Sequence, residues 1–104
     1  MRRGEIWHVA PRRDSRLFPV LLVSTDGMAG GTDRSVVVLS DRAPVGAAVA
    51  YTVRMSNGWA LVYSIQSVPA SAFVGEPLTT LPADVMRAVD LTLIEWLDLA
   101  DVLR

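Results

Sequence analysis

The chain reads as a small α+β domain, a barrel-like antiparallel sheet of five or six strands followed by one amphipathic helix. Three observations predict this class. Between Glu5 and Val68 the apolar residues fall in short alternating or β-branched runs of strand length, as in Glu5–Val9 and Val36–Leu39. Turn-forming residues separate those runs, the sharpest signal being Asn57-Gly58 between two strand-like stretches. Beyond Pro77 the apolar period lengthens to three or four residues and holds as far as Leu97. Strands followed by a helix make an α+β architecture. A length of 104 residues suits one domain, 1–104, with a single modest core.

Taken in order, Glu5, Trp7 and Val9 share one face of a first strand, and Ile6 and His8 the other. Pro11-Arg12-Arg13-Asp14-Ser15-Arg16 is a basic loop with proline at its mouth. Leu17 to Val23 is a continuous apolar run and reads as a buried strand; Pro19 sits near its start, where a missing backbone donor is tolerated. Thr25 to Asp33, carrying Gly27, Gly30 and Gly31, is a turn region. Val36–Leu39 forms a third strand, Arg42–Gly46 another loop, and Val49–Met55 a fourth strand. Ser56-Asn57-Gly58 turns the chain into Trp59–Val68, one long strand or two joined by a bulge. Phe73–Pro77 is a short extended piece closing the β region. Thr80 is placed to cap the helix, Pro82 fits its first turn, and Asp84 suits the positive end of its dipole. Val85, Val89, Leu93 and Trp96/Leu97 then make the apolar stripe, opposite Asp84, Arg87, Asp90, Glu95 and Asp98.

Composition excludes several classes. No apolar run approaches the roughly 18 residues that span a bilayer, and no apolar segment follows the basic N-terminus as in a secretory signal. With no cysteine and one histidine, neither a disulfide framework nor a zinc enzyme is expected, and the chain reads as cytoplasmic with no membrane partner. Gly27 to Gly31 lacks the Lys-Ser/Thr ending of a phosphate-binding loop, and no carboxylate pair suggests a glycosidase. Net charge is −1, but its distribution is uneven. Residues 1–54 hold eight arginines against five acids, residues 55–104 two against six, and there is no lysine. The plain reading of this arginine usage is a GC-rich genome and the sharper one a basic N-terminal lobe that meets phosphates or an acidic peptide; both can hold together.

Four segments, in order, resemble the MazF/PemK family of toxins. They are Arg3-Gly4-Glu5-Ile6-Trp7, Phe18-Pro19-Val20-Leu21-Leu22-Val23-Ser24, Ser64-Ile65-Gln66-Ser67-Val68, and Leu81-Pro82-Ala83-Asp84-Val85-Met86-Arg87-Ala88-Val89-Asp90 with Leu97-Asp98-Leu99 closing it. The resemblance implies an SH3-like antiparallel β-barrel of the CcdB/PemK type with a C-terminal helix. It also implies a homodimer, cleavage of single-stranded RNA at short sequences without metal or cofactor, and neutralisation by a cognate acidic antitoxin. The family's catalytic pair is an arginine just before the second-strand proline and a threonine or serine ending the third strand. The second maps onto Ser40; the first maps onto Phe18, a departure.

The chemistry says what a replacement must do. In metal-free RNA cleavage the 2′-hydroxyl attacks the adjacent phosphorus, so a proton must be accepted and the charge on the phosphoryl oxygens stabilised. An arginine's forked donors suit the second task and a phenylalanine neither. Arg16, two residues upstream of Phe18, and Arg13, at the loop's centre, are the candidate substitutes, with Ser40 as hydroxyl donor. Arg12, Arg42, Gln66 and Ser67 are the candidate RNA contacts. Each has a plainer reading: a solvated basic loop for Arg12, Arg13 and Arg16, local backbone bonding for Ser40, and the exposed side of a strand for Gln66 and Ser67. His8 reads as a sheet residue, and Trp7, Trp59 and Trp96 as core or interface aromatics, Trp59 alternatively as a stacking platform. Two other functions stand beside the nuclease: a degenerate member that keeps the fold and binds protein, and a CcdB-like gyrase poison, whose Trp-Gly-Ile ending is absent here.

Overall fold

The computed structural model describes residues 1–10, 16–24 and 33–98. Six strands form one antiparallel sheet: β1 (Glu5–Val9), β2 (Phe18–Leu22), β3 (Asp33–Ser40), β4 (Thr52–Met55), β5 (Gly58–Pro69) and β6 (Phe73–Thr80). A 14-residue helix, α1 (Ala83–Trp96), follows. The strand order is β4-β5-β3-β2-β1-β6, so the expected α+β architecture is present, with β4 and β6 at the two edges of a sheet that is not closed among the described residues.

Alternation along the central strands puts apolar side chains on both faces. Ile6, Leu21, Val23 and Val37 join Ala60, Val62 and Val89 of α1 in one cluster. Trp7, Val9, Val20, Leu22 and Val36 join Val68 and Ala72 in a second, where Trp7 meets Phe73 edge-on with ring centres 5.7 Å apart. Burial on both faces is why β2 reads as an unbroken apolar run; Val20, Leu21 and Leu22 are fully buried. Leu17, at the head of that run, is instead exposed and precedes the strand.

Pairing along β5 is broken once. Val38 faces Leu61 but Val37 faces Ile65, so one step on β3 spans four on β5. Such an irregularity bends the strand, and β5 thereby serves both clusters, through Val62 in one and Val68 in the other.

Further element boundaries differ from the sequence reading, among them the start of β3 at Asp33, ahead of the expected Val36. The fourth strand begins at Thr52, because Gly46–Tyr51 forms a 3₁₀ turn, with the Thr52 hydroxyl donating to the Ala48 carbonyl at 2.8 Å. The last strand runs past Pro77 to Thr80, because it is an edge strand, where a proline without N–H is tolerated. Thr80 therefore pairs with Glu5 and does not cap α1. The cap position is Pro82, whose carbonyl accepts from Met86 N–H at 3.0 Å, and no side chain caps the helix. At the other end Asp98 adopts φ 55°, a left-handed conformation that aspartate tolerates and that stops the helix.

The opening Arg-Gly-Glu-Ile-Trp phrase has a structural explanation. Arg3 donates from Nε to the Val23 carbonyl at 2.7 Å and pairs with Asp90 of α1, tying the N-terminus to strand end and helix together. Gly4 is buried at φ 91°, with its N–H on Leu22 and its carbonyl receiving Leu81 N–H. Glu5 Oε1 accepts from Arg2 N–H at 2.5 Å and from Trp7 Nε1 at 3.3 Å. Ser24, ending the second motif, accepts Ser35 N–H at 3.0 Å and holds β2 against β3.

Candidate active site

A cavity of about 780 Å³ opens where β3 ends. One wall is the end of β3, Leu39-Ser40-Asp41; a second is the β4–β5 turn, Met55-Ser56-Asn57-Gly58-Trp59; a third is Leu78 to Pro82, from the end of β6 into the start of α1. Ile6 and Pro19 line it as well. The volume lies within the roughly 300–1,000 Å³ usual for small-ligand sites. Among the described residues Asp41 is the one ionisable side chain on its wall.

Ser40 is half-buried at this wall and pairs with Trp59 across the sheet. Its Oγ accepts Arg42 N–H at 3.1 Å and lies 3.4 Å from the Arg42 carbonyl. The local bonding expected of a strand-end serine is therefore present, and the residue borders the cavity at the same time. Gly58 presses on the same point: a Cβ there would stand 2.4 Å from the Ser40 carbonyl oxygen.

Phe18 pairs with Val9 and packs against the second cluster, while the cavity is lined by its neighbour Pro19. No aromatic ring from position 18 fills the cavity. The β2–β3 pairing ends at Val20↔Val38, and Phe18 and Ser40 each lie two residues beyond that last pair on their own strands. The phenylalanine at 18 serves the core.

The other candidates are spread out. Arg16 is exposed two residues before Phe18 and does not line the cavity; a two-residue strand step is about 7 Å, within the reach of an arginine side chain. Arg42 is exposed just past Ser40. Arg12 and Arg13 lie outside the described residues. Gln66 and Ser67 face Val36 and Ser35, four and five residues from Ser40 along β3, or about 13–17 Å. They are exposed, and as strand neighbours they point to opposite faces. Gln66 Nε2 lies 3.5 Å from Ser64 Oγ, and the Ser67 hydroxyl 3.4 Å from Asp33 Oδ2. The structure brings neither to the Ser40 cavity. Sequence reasoning missed the cavity's second and third walls; its one signal for them was the Asn57-Gly58 turn.

A model of the PemK-like, MazF-like toxins of type II toxin-antitoxin systems matches residues 2–97. The chain belongs to that family. No curated protein matches its sequence. The fold of this MazF-like chain is shared by solved structures of low sequence identity. An endoribonuclease from a mycobacterial species is 17% identical, with a TM-score of 0.78 over 94% of this chain and 91% of that one. A mycobacterial endoribonuclease solved with its cognate antitoxin is also 17% identical, with a TM-score of 0.77 over 95% and 96%. The MazE-MazF complex of Deinococcus radiodurans is 19% identical, with a TM-score of 0.76 over 93% and 94%. Among the described residues, no helix is long and apolar enough to cross a membrane.

Proposed function

We propose that this MazF-like toxin is a metal-independent, sequence-selective endoribonuclease acting on single-stranded RNA in the cytoplasm, working as a homodimer and neutralised by an acidic antitoxin. The observation that carries the reading is Ser40 on the wall of the cavity, which Pro19, the neighbour of the position from which the family's arginine acts, also lines. The 2′-oxygen attacks the adjacent phosphorus and the bond to the 5′-oxygen breaks. The products are a 2′,3′-cyclic phosphate and a 5′-hydroxyl, the proton lost by the nucleophile being matched by one gained by the leaving oxygen. The Ser40 hydroxyl turns from the Arg42 carbonyl to a phosphoryl oxygen, and a guanidinium from Arg16 or Arg13 completes charge stabilisation. Arg12 and Arg42 hold flanking phosphates, and Gln66 and Ser67 contact more distant nucleotides. Exposed apolar side chains around Trp96, which meets Tyr51 at 4.9 Å and Tyr63 at 6.4 Å, favour a dimer.

Incubation with long RNA in EDTA yields discrete fragments with cyclic phosphate ends. Arg16→Ala or Arg13→Ala abolishes them, while Phe18→Leu, which keeps the core filled, does not. Intact RNA with a folded protein that still binds an acidic peptide would identify a protein-binding member of the family instead.

A further inference from the structure

We infer that the cavity beside Ser40 is a nucleobase pocket, which takes the base next to the scissile phosphate and selects one bearing an exocyclic amino group. The inference rests on the ribonuclease reading for the identity of the polymer, and on the cavity's own lining for the rest.

Away from Ser40, the described lining does not suit the phosphate backbone. A phosphate needs cations or a nest of N–H groups, whereas among the described residues no arginine borders this space and the charge on its wall is the Asp41 carboxylate. What fits is a flat, neutral, partly apolar group. Trp59 contributes an aromatic residue to the lining, with Met55, Leu39 and Leu81 as apolar surroundings. Two groups supply directional bonding. Asn57, at the exposed tip of the turn, carries both a donor and an acceptor, and Asp41 only accepts. A carboxylate facing a base edge selects an amino group, as on cytosine, adenine or guanine, and opposes the carbonyl oxygens of uracil. Position fixes which base is read. Ser40 and Asp41 are chain neighbours and Trp59 pairs with Ser40, so a phosphate at the serine hydroxyl delivers its adjoining base to this wall.

The test maps cleavage of a randomised RNA pool in EDTA by the wild-type chain and by Asn57→Ala, Asp41→Asn and Trp59→Ala, with Trp59→Phe as the variant that keeps an aromatic face. The expected result is a wild-type preference for cytosine, adenine or guanine over uracil at one position beside the cut. Asn57→Ala and Asp41→Asn relax it about tenfold or more, and Trp59→Ala lowers cleavage roughly ten- to a hundredfold with recovery in Trp59→Phe. A uniform loss at all sites with the preference unchanged would overturn the pocket. If the wild type cuts no RNA, the ribonuclease reading fails separately. The pocket is then judged with 2′-O-methyl oligonucleotides, whose nucleophile is blocked. Tighter binding of amino-bearing sequences than of oligouridine, lost in Trp59→Ala, upholds it, and equal or absent binding overturns it.

Discussion

Two residues, where the end of β3 meets the start of β5, separate architecture from chemistry. Gly58 has φ 154°, and a Cβ there would collide with the Ser40 carbonyl at 2.4 Å, with backbone that cannot swing aside as a side chain would. Gly58→Ala is expected to destabilise the chain by about 1–3 kcal/mol, seen as a lower urea midpoint, and to depress cleavage further by moving Ser40. Ser40→Ala divides the two effects differently. Its hydroxyl holds only a partly exposed turn, so the stability loss is about 1 kcal/mol or less. Loss of a donor to a charged phosphoryl oxygen lowers turnover roughly a hundred- to a thousandfold. Equal folding and equal turnover in Ser40→Ala would confine the residue to its turn. The sequence reading named Ser40 and anticipated its local bonding, since both follow from a serine at a strand end. It read Gly58 only as a turn residue, because the crowding that demands glycine comes from Ser40, far back in the chain.

Elements were legible to the extent that their cause is local. The helix was visible from its period, and β2 from an unbroken apolar run, because burial writes itself into neighbouring residues. The start of β4 and the end of β6 were not visible. Ala47, Ala48 and Ala50 give a strand little to pack, so a 3₁₀ turn takes their place, and Pro77 ends a strand only where its missing N–H is needed. The docking of α1 follows similar logic. Val89 is fully buried in the first cluster, whereas Asp90 is joined to Arg3 with both side chains more than a third exposed. Val89→Ala is expected to cost about 2 kcal/mol, and Asp90→Ala under about 1 kcal/mol because solvent screens the pair. Urea unfolding of the two variants checks the order; a larger loss for Asp90→Ala would mean that the ion pair, more than the apolar stripe, seats the helix.

At the scale of the whole molecule, the strand order β4-β5-β3-β2-β1-β6 closes β1 between its immediate successor and the last strand of the sheet, and no local signal specifies the second of those contacts. The cavity is a product of that topology, since it gathers Ile6, Pro19, Ser40, Asn57 and Thr80 from five separate stretches. The charge asymmetry of the sequence is also reshaped by folding. Arg3 of the basic half pairs with Asp90 of the acidic half, while Arg16, two residues before Phe18, and Arg42, two residues after Ser40, remain exposed. If these two guanidiniums hold phosphates, each contributes to counterion release when single-stranded RNA binds. The logarithm of the binding constant then falls linearly with the logarithm of salt concentration, each phosphate contact adding about 0.7 to the slope. Titration of an uncleavable 2′-O-methyl oligonucleotide from 50 to 200 mM salt, a range chosen as roughly that over which such contacts are weakened, measures it. Arg16→Ala and Arg42→Ala are each expected to flatten the slope by about 0.7 and the double variant by about 1.4, whereas Asn57→Ala weakens binding with the slope unchanged. A slope indifferent to Arg16 would remove that guanidinium from the phosphate path and leave Arg13 as the remaining candidate for the position that Phe18 vacates.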